Sequence, residues 1–66
     1  MKLTVNGESH EHTGDGTVTA LLSELGANPD HSALTINGHF VPRNNWDDFK
    51  LTDDDNVEVL TFVGGG

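Results

Sequence analysis

Apolar positions along this chain follow two periods, one of about 2 and one of about 3.6 residues. Leu3-Thr4-Val5 alternates and runs into Asn6-Gly7, a pair suited to a two-residue hairpin because both central positions need positive φ. This predicts a strand, a turn and a returning strand over Glu8 to Thr13. Thr13-Gly14-Asp15-Gly16 breaks the pattern as a loop, and Asp15 or Thr17 can cap the helix beyond it. Val18, Leu21, Leu22 and Leu25 share one helical face, and Gly26 supplies the stop. After a polar link over 27–32, Ala33-Leu34-Thr35-Ile36 leads into a second turn, Asn37-Gly38, whose return arm His39-Phe40-Val41 ends at Pro42. Asn44 to Phe49 fits one helical turn with Trp46 and Phe49 three apart, Leu51 to Asn56 reads as a polar loop, and Val57 to Val63 is a last strand.

The order strand, strand, helix, strand, strand, short turn, strand predicts a two-layer α+β domain, a mixed sheet of about five strands packed on one main helix. For this order and length the ubiquitin-like β-grasp is the most economical topology. Residues 1–63 form the domain and Gly64, Gly65 and Gly66 a flexible tail. The helix is short and amphipathic, so it must dock on the sheet to persist. Leu3, Val5, Val18, Leu21, Leu22, Leu25, Leu34, Ile36, Val57 and Val59 are the expected core.

Composition narrows the function. The chain has 66 residues, no cysteine, and 3 Lys and Arg against 11 Asp and Glu, for a net charge of −8. Without cysteine there is no disulfide framework, thiolate site or cysteine nucleophile, and packing alone must hold so small a domain. No apolar stretch approaches the roughly 18 residues of a membrane span. The opening Met1-Lys2-Leu3-Thr4-Val5-Asn6 lacks the layout of a signal peptide, so the expected compartment is the cytoplasm. With Lys2, Arg43 and Lys50 as the only Lys or Arg, nucleic acid and anionic membrane are poor partners, and a basic protein surface is a good one.

Catalytic constellations are nearly absent: no glycine-rich phosphate loop opens a helix, and Ser9, Ser23 and Ser32 sit in no nucleophile motif. A domain of this size also leaves little volume for a cleft. A binding or carrier module is favoured over an enzyme. His10 and His12, two apart on a strand, share a face and raise the possibility of a metal site, but no third ligand is placed near them, and an exposed pair on an edge hairpin is the better reading. Asp53-Asp54-Asp55 lacks the spaced ligands of a calcium loop and reads as a solvated turn. No metal site is expected. In the last strand, alternation sets Val57 and Val59 on one face and Glu58, Leu60 and Phe62 on the other. If the valines face the helix, Leu60 and Phe62 form a docking patch unless Phe40, Val41 or Trp46 folds over them. Three glycines come next, able to lie in a passage too narrow for side chains. A carboxylate at Gly66 is a poor acyl donor until made into a mixed anhydride, so chemistry there implies a partner that brings ATP and magnesium.

Val5-Asn6-Gly7-Glu8, Val18-Thr19-Ala20-Leu21-Leu22, Val41-Pro42-Arg43-Asn44-Asn45-Trp46 and the ending Val57 to Gly66 together resemble the ThiS family of ubiquitin-like sulfur carriers. The resemblance covers essentially the whole chain, and Val-Pro-Arg-x-x-Trp at this spacing is its most specific part. It implies a non-catalytic carrier. Its Gly66 carboxylate would be adenylated by a ThiF-like adenylyltransferase and converted to a thiocarboxylate, with sulfur drawn from cysteine by a desulfurase. Thiazole synthase, ThiG, would then take that sulfur for the thiazole of thiamine. It implies no cofactor on the chain itself, Gly65 with Gly66 as the functional pair, Gly64 as added reach, and Leu60 and Phe62 as contacts with both enzymes. MoaD-like carriers for molybdopterin and archaeal modifiers that form isopeptide bonds share the diglycine end and stand as alternatives. Arg43 is expected to pair with Asp47 or Asp48, or to meet a partner, and Trp46 to be buried. Six acids crowd positions 47–58, which suggests salt adaptation or a basic partner face.

Overall fold

A computed structural model of the chain describes residues 1–62. Val63 of the expected last strand and the Gly64–Gly66 tail lie outside the described residues. The elements are β1 (Lys2–Val5), β2 (Glu8–Glu11), α1 (Val18–Leu25), β3 (Ser32–Ile36), β4 (His39–Phe40) and β5 (Asn56–Thr61), with single 3₁₀ turns at Pro29–His31 and Arg43–Asn45. The sheet runs β2-β1-β5-β3-β4, with β1 and β5 parallel and every other neighbour antiparallel, and α1 covers one face. This is the expected mixed five-stranded sheet on one helix.

Local chemistry explains most of it. Asn6 (φ 50°) with Gly7 (φ 82°), and Asn37 (φ 52°) with Gly38 (φ 84°), take the two successive positive φ values that match strand twist in a two-residue hairpin. Both candidate helix caps act, in series. Thr17 Oγ1 accepts from Ala20 N–H at 3.1 Å, and Asp15 Oδ1 accepts from Thr17 N–H at 3.0 Å and Thr17 O–H at 2.7 Å. Gly26, left-handed at φ 73°, ends α1 by donating to the Leu22 and Ser23 carbonyls.

Leu3, Val5, Val18, Leu21, Leu22, Leu34, Ile36 and Val57 are buried as expected. Leu25 and Val59 are only half-buried, because they line an open groove at the end of α1 together with Val5, Ala27 and Thr61. The core also takes Val41, Trp46 and Leu51. Leu51, expected in a polar loop, is drawn under the start of α1, where its N–H donates to Gly16 O at 2.7 Å beside a Thr17↔Lys50 bridge. Trp46 is buried as expected, its Nε1–H donating to Val41 O at 2.9 Å. The helical turn expected over 44–49 is present in part: a 3₁₀ turn at Arg43–Asn45 starts after Pro42, Phe49 N–H closes a further turn on Asn45 O at 2.8 Å, and Trp46 is delivered inward between them. β2 stops at Glu11, short of Thr13, where His12 turns into the core.

Candidate functional site: the outer face of β5

β5 runs between β1 and β3, so both of its faces are fixed by pairing. Val57 and Val59 turn toward α1, leaving Leu60 64% and Phe62 53% exposed. Neither Val41 nor Trp46 covers them, since both are in the core. Phe40 does not fold over them either, being 65% exposed itself. The register explains its place: Thr35 pairs with Phe40 on one side and Glu58 on the other, and Ala33 pairs with Leu60. Directly opposed residues share a face, so Phe40, Leu60 and Phe62 all project from the sheet's outer side. Phe40 was missed in the sequence, although Val41 packing inward implies Phe40 outward by simple alternation. Three large apolar groups on one face of so acidic a chain have the character of a docking patch. Phe62 N–H donates to His31 O at 2.7 Å, the last described backbone bond before the glycines. Gly64, Gly65 and Gly66, the expected tail and modified residue, lie outside the described residues.

The histidines correct an expectation. His10 and His12 are not an exposed pair without a third partner: both rings meet Glu24 on α1, with His10 Nε2 2.6 Å and His12 Nδ1 3.0 Å from Oε1. Glu24 Oε2 accepts from the N–H and hydroxyl of Thr13, each at 2.9 Å. His12 is buried at 2% exposure. Its Nε2 accepts from Gly16 N–H at 3.0 Å, so its proton sits on Nδ1 and points at the carboxylate. Hydrogen bonds from His10, then from Thr13 N–H and from His12, hold the Glu24 carboxyl well below the usual carboxylate range. The cluster staples the β2-to-α1 connection. Among the described residues no group of three or more His, Asp or Glu side chains is placed to hold a metal ion.

The acidic run is the expected solvated turn at Asp53 and Asp54, which are exposed, but not at Asp55. Asp53 Oδ1 accepts from Lys2 N–H at 2.8 Å. Asp55 is buried and accepts from Thr52 N–H, the Thr52 hydroxyl and Asn37 Nδ2–H, each at 2.9 Å. Burial pushes its carboxyl up, but these bonds outweigh it and the net shift is down. Arg43 pairs with Asp30, at 2.5 Å on the surface, rather than with Asp47 or Asp48, because its 3₁₀ turn faces the one at Pro29–His31. Asp47 instead accepts from Thr19 Oγ1–H at 2.5 Å.

The sheet order, the single helix and the exposed outer face define a ubiquitin-like β-grasp domain. The model of the ThiS family matches residues 3–66, and the chain belongs to that family. It is similar to the crystal structure of the thiamine biosynthesis protein (ThiS) from Geobacter metallireducens, at 39% identity over the whole of both chains and a TM-score of 0.81. A thiazole synthase of Paramagnetospirillum magneticum is 38% identical over all 66 residues, and the chain spans 20% of that relative's length. The sulfur carrier protein ThiS of Escherichia coli K12 is 29% identical over the full length of both. No helix among the described residues is long and apolar enough to cross a membrane.

Proposed function

We propose that the chain is a sulfur carrier protein of thiamine biosynthesis, a carrier and not a catalyst, whose Gly66 holds the cargo and whose β5 outer face is what partners recognise. The observation that carries this reading is the end of β5. A strand paired along its whole length with β3, and at its start with β1, presents Leu60, with Phe62 next and Phe40 alongside, and the sequence then passes through Val63 into Gly64-Gly65-Gly66. The Gly66 carboxylate oxygen attacks the α-phosphorus of ATP on a ThiF-like adenylyltransferase that also holds magnesium, and pyrophosphate leaves. A persulfide, its outer sulfur taken from cysteine by a desulfurase, then displaces AMP to give an acyl disulfide, and a second thiol attacks the carrier-distal sulfur to release the thiocarboxylate and leave a disulfide behind. Thiazole synthase ThiG is the acceptor. Membership of the ThiS family supports the carrier role, and a thiazole synthase relative containing a stretch 38% identical to the whole chain supports the pairing with ThiG.

Intact mass spectrometry tests this. After incubation with a ThiF-like enzyme, ATP, magnesium and a sulfur donor, the chain should exchange one oxygen for sulfur, and fragment ions should locate the change at Gly66. An unchanged mass with an activating enzyme that modifies its own carrier would sink the reading. Gly66 remnants on lysines of other proteins would point to a protein modifier instead.

A further inference from the structure

β5 is held differently along its two edges. Toward β3 it is paired throughout, from Ile36↔Val57 to Ser32↔Thr61, and Phe62 continues the pairing through His31. Toward β1 the parallel ladder covers only Thr4↔Asn56 and Val5↔Val57, because β1 turns away at Asn6-Gly7. The strand's hydrogen-bonding groups alternate in direction, so Val57, Val59 and Thr61 point their N–H and C=O to this shortened side. Asn6 N–H reaches Val57 O at 2.9 Å, and there the β1 backbone ends its contribution. The Asn6 side chain supplies the next rung. Its Oδ1 accepts from Val59 N–H at 2.8 Å, across 53 positions of sequence and immediately before Leu60. The other Asn-Gly turn makes a parallel bond at the start of β5, where Asn37 Oδ1 accepts from Asn56 N–H at 2.9 Å. Asn37, however, sits on the edge where β3 already pairs, whereas Asn6 stands in for a missing strand.

We propose that Asn6 is a positioning residue for partner docking: its side-chain carbonyl holds the second half of β5 in the sheet, so that Leu60 and Phe62 are presented in one orientation. The docking half of this proposal rests on the carrier reading above. Two demands meet at this position, a positive φ for the turn and an acceptor long enough to reach Val59. Glycine satisfies the first and not the second, while aspartate satisfies both. Asn6→Gly therefore removes the bond with the turn kept, and Asn6→Asp restores an acceptor.

The test combines residue-resolved amide exchange with adenylation kinetics, in which the carrier is the varied substrate of a ThiF-like adenylyltransferase. In Asn6→Gly, Val59 N–H should exchange about fivefold to tenfold faster, while Leu60 N–H, which faces β3, stays as in the wild type. The KM for the carrier should rise about fivefold with kcat unchanged within about twofold, and Asn6→Asp should return both exchange and KM toward wild type. Unchanged Val59 exchange in Asn6→Gly overturns the proposal. So does an opened Val59 with an unchanged KM, or a KM defect that Asn6→Asp fails to rescue. A wild-type chain that is not adenylated at all overturns the carrier reading and with it the docking role, and Val59 exchange alone then decides whether Asn6 holds the strand.

Discussion

At the scale of single residues, Glu24 shows how one surface carboxylate organises a loop. It accepts from two imidazoles and from both donors of Thr13, bonds that its anionic form makes and a neutral acid would weaken. Its folded-state pKa is depressed below the ordinary 4.5, so it contributes stability that is fully present above that value and drains away as pH falls beneath it. Replacing it with the neutral Glu24→Gln should cost about 1 kcal/mol in urea unfolding at neutral pH. The variant should also lose less of its remaining stability than wild type between about pH 5 and about pH 3. Parallel pH curves for the two proteins would contradict this account. Gly14 tests the same cluster from the other side, since an added Cβ would lie 2.8 Å from His12 Cε1 and 3.1 Å from Ala20 Cβ. The imidazole is buried and bonded at both nitrogens, so it has nowhere to retreat. Gly14→Ala is expected to lower the unfolding free energy by about 1–3 kcal/mol in the same measurement.

Among the elements, what the sequence made legible is what is encoded locally. The two Asn-Gly turns, the helical face from Val18 to Leu25, its caps and its Gly26 stop could all be read from neighbours a few residues apart. The β5 alternation was legible for the same reason and foretold the exposure of Leu60 and Phe62. Leu51 was not, because its burial depends on the Thr17↔Lys50 bridge, a contact between residues far apart in sequence among polar neighbours. The partnership of Glu24 with His10 and His12 was hidden too, since it joins β2 to α1 and no spacing rule links them. The exposure of β5's outer side separates docking from stability. Leu60→Ser and Phe62→Ser remove apolar surface of which more than half is already in water, and each should change the unfolding free energy by no more than about 1 kcal/mol. Binding of the same variants to a ThiF-like adenylyltransferase, measured by calorimetry, should weaken by at least about tenfold for one of the two if the patch is what the partner grips. Variants that lose stability but bind normally would return these side chains to the fold.

For the molecule as a whole, the question is what a charge of −8 does in a domain with 11 acids and 3 Lys or Arg. Part of the crowding at positions 47–58 is structural: Asp47, Asp53 and Asp55 each accept bonds that fix loops. Glu58 has a different place, on the outer face in the row of Thr35 and Phe40 and next but one to Leu60 along β5, so negative charge borders the apolar patch. The charge has two effects of opposite sign. Self-repulsion among the acids works against the compact state, and salt screens it. Attraction between this rim and the basic partner face expected from the charge would speed encounter, and salt would screen that as well. Raising sodium chloride from about 20 mM to about 200 mM should therefore raise the melting temperature by about 3–6 °C. The same change should slow association with the adenylyltransferase by about tenfold, read by stopped-flow, with dissociation far less affected. Glu58→Gln should reduce the salt dependence of association while leaving the melting temperature within about 2 °C of wild type, because its side chain is exposed and bonded to nothing among the described residues. A melting temperature that climbs with salt while the association rate stays flat would assign the acidity to the carrier's own solvation and remove the basic partner face from the picture.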